Sequence, residues 1–374
     1  MTKTRVLIIY STAGAGHKKA AYAIKDAFAE IGSDAIVDII DALDYMSPFF
    51  KWSYPRSYIF MVNRIPRIWG MGYYALDNKA FYGLVSWIRH LENWISSRPL
   101  ARYLKEKDYD VVITTHFLPP DVMTMEGKNK IRSKLVNVVT DYRMHTFWYA
   151  KATDRYVVGC ELTKEELIAK YGVAPDKITI CGIPIDPLFG KVKGREELTK
   201  KLGIKEGLFT VLIGSGGFGV GPVEELVRSF RGISIPMQLL VVCGKNETLY
   251  ADVKNMQSDI GVPMTVYGFV DNMDELMEVS DVIITKTGGL MSSEALAKDL
   301  PIIGIAPIPG QETRNFEVLV KLGVVIDGKH AGEIPKIVSG LYNDKDSLLA
   351  IKEKIKLAKK PYAAHDIAKL ALSI

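Results

Sequence analysis

DVIITKTGGLMSSEALAKDLPIIGIAPIPGQETRN, residues 281–315, decides the fold. An apolar run with strand character ends in Lys286-Thr287-Gly288-Gly289, a helical stretch follows, and the next strand runs into PGQETRN. Free N–H groups at a helix N-terminus meet a phosphate well. Glu294 lies one to two turns along that helix, where a carboxylate can accept hydrogen bonds from both hydroxyls of a ribose. Gln311, Glu312 and Asn315 are polar groups at a strand's carboxyl end, which is where open α/β sheets bind ligands. In this order on a βαβ frame, the residues predict a nucleotide-sugar site.

The same alternation runs along the whole chain. VLIIY, DVVITT, KLVNVVT, DRYVVG, FTVLIG, QLLVVCG and DVIITK read as buried parallel strands, with amphipathic helical stretches such as Lys18 to Ile31 and Ser292 to Lys298 between many of them. This predicts an α/β protein of doubly wound sheets. There are too many strands for one such sheet, and 374 residues suit two domains. The segment 181–207, rich in Gly, Pro and charge, separates two βα series. It predicts an N-terminal domain over 1–190 and a C-terminal domain over 191–374, with a last helix near 358–374 returning to the first.

Two further glycine corners stand out. STAGAGHKKA, residues 11–20, places Gly14, Gly16 and His17 at a helix start. The positive helix end discourages protonation of an imidazole there, which suits a proton acceptor. VLIGSGGFGVGP, residues 211–222, exposes backbone N–H groups around Gly216 and Gly217, and such nests bind anions. It is no Walker A loop, since no Gly-Lys-Ser/Thr follows.

Composition bounds the rest. Net charge is +5, which permits an anionic partner without requiring one. Cys160, Cys181 and Cys243 are too few and too scattered for a disulfide framework or a zinc site, which indicates a reducing compartment. MTKTRVLIIY leads straight into a strand, so no secretory leader is expected. No apolar run approaches the ~20 residues that cross a bilayer. Residues 45–94 break the alternation: four of the five tryptophans lie here, with six Lys/Arg and only Asp77 and Glu92 as acids. Aromatic rings mixed with cations suit a lipid headgroup layer, and the docking segment is expected within 45–100. Trp52, Arg64, Arg67 and Trp69 are the candidate contacts, supported by Lys51, Arg56, Lys79 and Arg89. The alternative is a helical insertion with an aromatic core. No nucleic-acid recognition module is visible.

GAGH after the first strand, VTDYRMHTFW (139–148), GSGGFGVGP, YGFVDNMDELM, ITKTGGLMSSEA and PGQETRN occur together in order. Their combination resembles the monogalactosyldiacylglycerol synthase and processive diacylglycerol glucosyltransferase group, in glycosyltransferase family 28, over nearly the whole chain. It is similar, more distantly, to the N-acetylglucosaminyltransferase that makes lipid II. The resemblance implies a GT-B fold, two Rossmann-like domains facing a cleft. It implies inverting transfer of a hexose from a UDP-sugar to diacylglycerol or a glycosyl-diacylglycerol, making membrane glycolipid. No cofactor and no metal are expected, since no Asp-x-Asp motif stands out and DALD at 41–44 reads as loop. A cytoplasmic enzyme peripheral to the inner face of the cell membrane follows, with an anionic membrane surface as partner and no nucleic acid.

Residue by residue, the resemblance puts Gly16 and His17 in the active site and Asp141, His145 and Trp148 near the acceptor. Phe269 and Val270 match a uracil-contacting loop, Thr287, Gly288 and Gly289 a diphosphate turn beside Lys286, and Glu294 the ribose acid. Gln311, Glu312 and Asn315 match the donor-sugar motif. Either His17 or Asp141 can serve as base, and the glycines ahead of His17 are expected to make room for it. Other readings are another UDP-sugar enzyme on this fold, such as a polyprenyl-linked N-acetylglucosaminyltransferase or a UDP-sugar 2-epimerase, and a non-catalytic nucleotide-sugar-binding module. Neither an epimerase nor a binding module explains the aromatic, basic segment together with both half-sites. Glucose and galactose remain equal as donor sugars.

Overall fold

The computed structural model describes residues 3–12, 14–78, 81, 83–84, 95–127, 130–217, 219, 221–305 and 307–374. The chain forms two compact units: Met1–Pro187 with Ile308–Arg314 and Tyr362–Ile374, and Leu188–Pro307 with Asn315–Pro361.

The first unit is built on a six-stranded sheet of β1 (Arg5–Tyr10), β2 (Ile36–Asp41), β3 (Val111–Thr114), β4 (Lys134–Val138), β5 (Arg155–Val157) and β6 (Ile178–Thr179). All pairs are parallel, in the order β2-β1-β3-β4-β5-β6. Val6 to Ile9 of β1 have no exposed surface, because helices cover both faces of a central parallel strand. Strand order reverses direction between β1 and β3, which opens a crevice at their carboxyl ends. Helix α1 (Ala15–Glu30) leaves β1 there, one turn earlier than the amphipathic pattern predicts. Helices α2 (Pro48–Arg64), α3 (Pro66–Asp77) and α4 (Glu161–Tyr171) belong to the same unit.

DALD is not a loop. Asp41 ends β2, and Ala42–Tyr45 form a 3₁₀ turn whose first N–H groups need an acceptor. The Asp41 carboxylate supplies it, accepting from the Leu43 N–H at 3.0 Å and also from the Thr12 hydroxyl.

The second unit holds β7 (Phe209–Gly214), β8 (Met237–Val242), β9 (Met264–Tyr267), β10 (Val282–Thr285), β11 (Ile302–Gly304) and β12 (Val325–Asp327). Its six strands run in the order β12-β11-β10-β7-β8-β9, again all parallel. From β7 outward this is the dinucleotide-fold order, with the switch point between β7 and β10. Helix α5 (Gly289–Ala297) follows β10, and α6 (Gln311–Lys321) follows β11.

The chain ends in α7 (Ala363–Leu372), which packs on α1 in the first unit. Ala364, Ile367, Ala368 and Ala371 meet Ala21, Ile24, Ala27 and Phe28 in one buried cluster. Small residues on both helices allow a close approach, and Ile367 fills the seam without exposed surface. Ile367→Ala should therefore destabilise the first unit by about 2–5 kcal/mol, the cost of a large-to-small change that leaves a cavity. Urea unfolding followed by tryptophan fluorescence measures it; a change below ~1 kcal/mol would mean that α7 is not part of the cooperative core.

Candidate functional site

At the crevice of the first sheet, His17 sits in the opening turn of α1, and Thr115 follows β3 directly. The imidazole Nδ1 lies 2.7 Å from the Thr115 carbonyl oxygen. A carbonyl only accepts, so Nδ1 carries the proton and Nε2 carries the lone pair of the neutral ring. The Thr115 hydroxyl returns a bond to the His17 carbonyl at 2.9 Å, so Thr115 holds both the side chain and the backbone of His17. The Thr140 hydroxyl, after β4, stands 3.1 Å from the same Nδ1. Burial pushes the His17 pKa down, against the opposing pull of Asp141 and the Thr115 carbonyl. Burial thus favours the neutral ring, the form a proton acceptor must have.

Asp141 is buried, and its oxygens have partners. Trp148 Nε1 donates to Oδ2 at 3.2 Å, and Gln311 Nε2 donates to Oδ1 at 2.7 Å. Trp148 is itself buried and held through its carbonyl by Asn137 of β4 at 2.9 Å. His17, Asp141, Trp148 and Gln311 thus form one constellation at the carboxyl ends of β1, β3 and β4. Gln311, matched by resemblance to the donor sugar, here holds Asp141. Glu312 accepts the Ile308 N–H at 2.8 Å and stabilises its own turn.

His145 stands apart from this constellation. Its Nδ1 accepts the Phe147 N–H at 3.1 Å, and its Nε2 donates to the Tyr73 carbonyl at 3.0 Å. Burial lowers its pKa to about 4, against the Tyr73 carbonyl and Asp77. Both nitrogens serve the backbone, so direct contact with an acceptor would have to break one of these bonds. The expectation that glycine makes room for His17 needs correction at Gly14. Its backbone is extended, and a Cβ there would meet nothing within 4 Å.

At the second switch point, the loop after β7 meets the turn after β10, with the Thr285 hydroxyl donating to the Gly214 carbonyl at 2.9 Å. Gly219 and Gly244 have positive φ, and a Cβ on either would come within 2.5 Å of a backbone carbonyl oxygen. This close approach seats the glycine loop, Gly216 and Gly217 included, on the end of β8. Lys245 lies 5.2 Å from the centre of the exposed Phe269 ring, with Val270 half-buried beside it. Glu294, Thr287 and Asn315 are buried. The diphosphate turn needs one correction. The Gly288 N–H donates to the Lys286 carbonyl at 2.9 Å, since the turn closes on itself, so the available donors begin at Gly289 and Leu290 in the first turn of α5.

Comparison with known proteins bears on this geometry. A family profile described as "Monogalactosyldiacylglycerol (MGDG) synthase" matches residues 17–185, and one described as "Glycosyltransferase family 28 C-terminal domain" matches residues 209–367. The chain is 30% identical over 375 residues to a processive diacylglycerol beta-glucosyltransferase of Bacillus cereus (strain G9842), covering 99% of this chain and 93% of that protein. The chain belongs to the monogalactosyldiacylglycerol synthase family of family 28 glycosyltransferases. It is 34% identical over 367 residues to the chloroplastic monogalactosyldiacylglycerol synthase of Spinacia oleracea, covering 93% of this chain and 68% of that one. The crystal structure of Acinetobacter baumannii MurG superposes with a TM-score of 0.62 at 13% identity, covering 99% and 100% of the two chains. The fold is GT-B, and the protein is a glycosyltransferase.

Within this glycosyltransferase, α2 and α3 sort the aromatic residues by face. Phe50 and Tyr73 are buried, whereas Phe49, Trp52, Phe60, Ile68 and Met71 are all more than half exposed. Arg64 and Arg67 are exposed, Trp69 is half-buried, and Arg56 lies over the Trp52 ring at 5.1 Å. Lys79 and Arg89, also expected at a lipid surface, lie outside the described residues. Among the described residues no helix is long and apolar enough to cross a membrane.

One buried polar cluster escaped sequence reasoning. Asp77, at the end of α3, is buried and accepts from Arg314 Nη2 at 2.6 Å, Lys170 Nζ at 2.7 Å and the Thr146 N–H at 2.9 Å. The signal available was one of only two acids in a segment rich in Lys and Arg; its partners are distant in sequence. Burial works to raise the Asp77 pKa, but the bonds from Arg314 and Lys170 outweigh it and bring it from 3.8 to about 2. A depressed carboxylate stabilises the fold above its unfolded pKa, and that contribution is lost as pH falls through its folded one. Urea stability should therefore drop by about 2 kcal/mol between roughly pH 4 and pH 2 through this group. Asp77→Asn should flatten that part of the profile; an unchanged slope would remove Asp77 as its source.

Proposed function

We propose that this glycosyltransferase moves a hexose from a UDP-sugar to the hydroxyl of diacylglycerol, or of a glycosyl-diacylglycerol, with inversion and without a metal. The observation that carries the reading is the His17 tautomer, an Nε2 lone pair fixed at the first switch point beside Asp141, in a chain related along its length to diacylglycerol glycosyltransferases. The acceptor oxygen attacks the anomeric carbon from the side opposite UDP. The new C–O bond forms as the sugar–phosphate bond breaks, through an oxocarbenium-like transition state. The hydroxyl proton passes to His17 Nε2, and the bond electrons leave with UDP.

Each residue has a role in this scheme. A positioned base contributes typically ~10²–10⁴ in rate. Asp141 serves the base rather than being it: both its oxygens accept hydrogen bonds, which favour the carboxylate, and its charge balances the imidazolium. Charge growing on the diphosphate meets the first-turn N–H groups of α5 and the glycine loop after β7, fixed dipoles that need no reorganisation. Glu294 takes the ribose, the Phe269–Val270 loop the uracil, and Lys286 adds a positive charge.

Purified enzyme incubated with diacylglycerol vesicles and UDP-glucose or UDP-galactose should yield a β-linked glycosyl-diacylglycerol, equally well in EDTA. Formation of an epimer from UDP-sugar without lipid would replace this reading with the epimerase one. Turnover lost in EDTA and restored by Mg²⁺ or Mn²⁺ would end the metal-independent part.

The acceptor has almost no aqueous concentration, so the enzyme must work at a bilayer. The outer faces of α2 and α3 supply amphipathic rings and cations together, and each cation near an anionic surface adds about 1 kcal/mol. In this reading the enzyme sits on the cytoplasmic leaflet. Replacing Arg64 and Arg67 with Glu should weaken co-sedimentation with anionic vesicles and leave UDP binding unchanged. Undiminished sedimentation of the double variant would move the docking surface elsewhere.

A further inference from the structure

Helix α3 has a second role on its inner face. Three contacts pin Ile308–Arg314 against it within the first unit. A Cβ on Gly70 would come within 2.7 Å of the Pro309 side chain, so glycine permits that approach. Gly310, at φ +104, lays its backbone on Tyr73, where a Cβ would stand 3.0 Å from the ring. Arg314 closes the set: Nη2 donates to Asp77 Oδ2, Nη1 donates to the Met144 carbonyl at 3.1 Å, and the guanidinium lies over the Tyr73 and Tyr74 rings at 5.4 and 5.2 Å.

Stability alone explains this arginine poorly. Asp77 already accepts from Lys170 and from Thr146. Arg314 is buried, and its Nε finds no partner among the described residues. A buried ion pair often stabilises no more than an apolar packing of the same volume, while it does select one arrangement over others. What the arrangement selects is visible one helical turn away. Gln311 and Arg314 share a face of α6 at i and i+3, so fixing Arg314, Pro309 and Gly310 also fixes the direction of Gln311. That direction delivers the Gln311 amide to Asp141 at 2.7 Å.

We propose that Asp77 and Arg314 are positioning residues for the transfer reaction: α3 holds Ile308–Arg314 so that Gln311 fixes the carboxylate of Asp141 beside His17. The role rests on the proposed function, since it matters through His17 as base. Without Gln311 the carboxylate loses a donor, its charge acts more fully on the imidazole, and the ring holds its proton to higher pH. The titratable groups that face His17 are Asp141 from the end of β4 and His116 from the end of β3, the latter ring 4.7 Å away and edge-on.

The test uses the full-length enzyme as Arg314→Gln, Gln311→Ala and the double variant, with Arg314→Lys as the conservative change and thermal unfolding as a check of fold. Two readouts decide. Hydrogen exchange of the peptide 308–314, which needs no turnover, should quicken by about tenfold or more in Arg314→Gln and less in Arg314→Lys. In transfer assays on diacylglycerol vesicles, the acid limb of kcat/KM should move to higher pH in Arg314→Gln and in Gln311→Ala alike. The double variant should be no worse than the poorer single one, because the two act as a unit. A merely structural loss would lower the whole profile without moving its limb. Unchanged exchange, an unmoved limb or additive losses would each overturn the proposal. A wild-type enzyme that makes no glycolipid yet shows the exchange effect would sink the proposed function while leaving the α3 clamp standing.

Discussion

The bond from His17 Nδ1 to the Thr115 carbonyl joins the fold to the chemistry. It spans β1 and β3, the two strands between which the first sheet reverses direction. Only there do neighbouring strand ends send their chains to opposite faces, leaving a crevice that a side chain can enter. The carbonyl has one role, as acceptor, and so it decides which nitrogen of the imidazole bears the proton. Burial then favours the neutral ring, against Asp141 and the carbonyl, which favour the charged form. Position, tautomer and charge state follow from one 2.7 Å contact and its surroundings.

Asp141, beside His17, is buried with a donor at each oxygen. A buried carboxylate without partners would rise in pKa and take protons itself. Trp148 and Gln311 each donate to one of its oxygens, and its charge favours the protonated form of His17. His145, in the same short motif, is used in the opposite way. It ties two backbone groups together and keeps the 145–148 turn against α3. Two histidines, similar on paper, differ because one faces a crevice and the other is enclosed.

The second unit repeats the device with other atoms. Its switch point, between β7 and β10, is flanked by the glycine loop after β7 and by the turn after β10. Positive φ at Gly219 and Gly244 lets two loops approach within a distance that any Cβ would forbid. A site for a diphosphate needs fixed dipoles, and a site for a hydroxyl proton needs a group that can change its charge. The two sheets have different strand orders and different residues at their crevices, on the same parallel frame.

The eight interior strands were legible in the sequence: β1, β3, β4 and β5 in one sheet and β7, β8, β10 and β11 in the other. Each is buried on both faces and so reads as an unbroken apolar run. The remaining four, β2, β6, β9 and β12, are the four sheet edges. An edge strand is short or half exposed, as the Ile36–Asp41 pattern shows, and its apolar signal falls to the level of a loop. The glycine corners and the histidine beside one of them were visible because they are rare residue types at fixed local spacing. Local spacing determined the fold class, and the resemblance of the motifs carried the family. Tertiary structure decided which nitrogen of His17 carries the proton, that Gln311 bonds Asp141, that the Gly288 N–H is spent within its own turn, and that Asp77 belongs with Arg314. All but the Gly288 turn are relations between residues brought together from different parts of the chain, where the partner is set by how helices pack on a sheet rather than by any pattern along it.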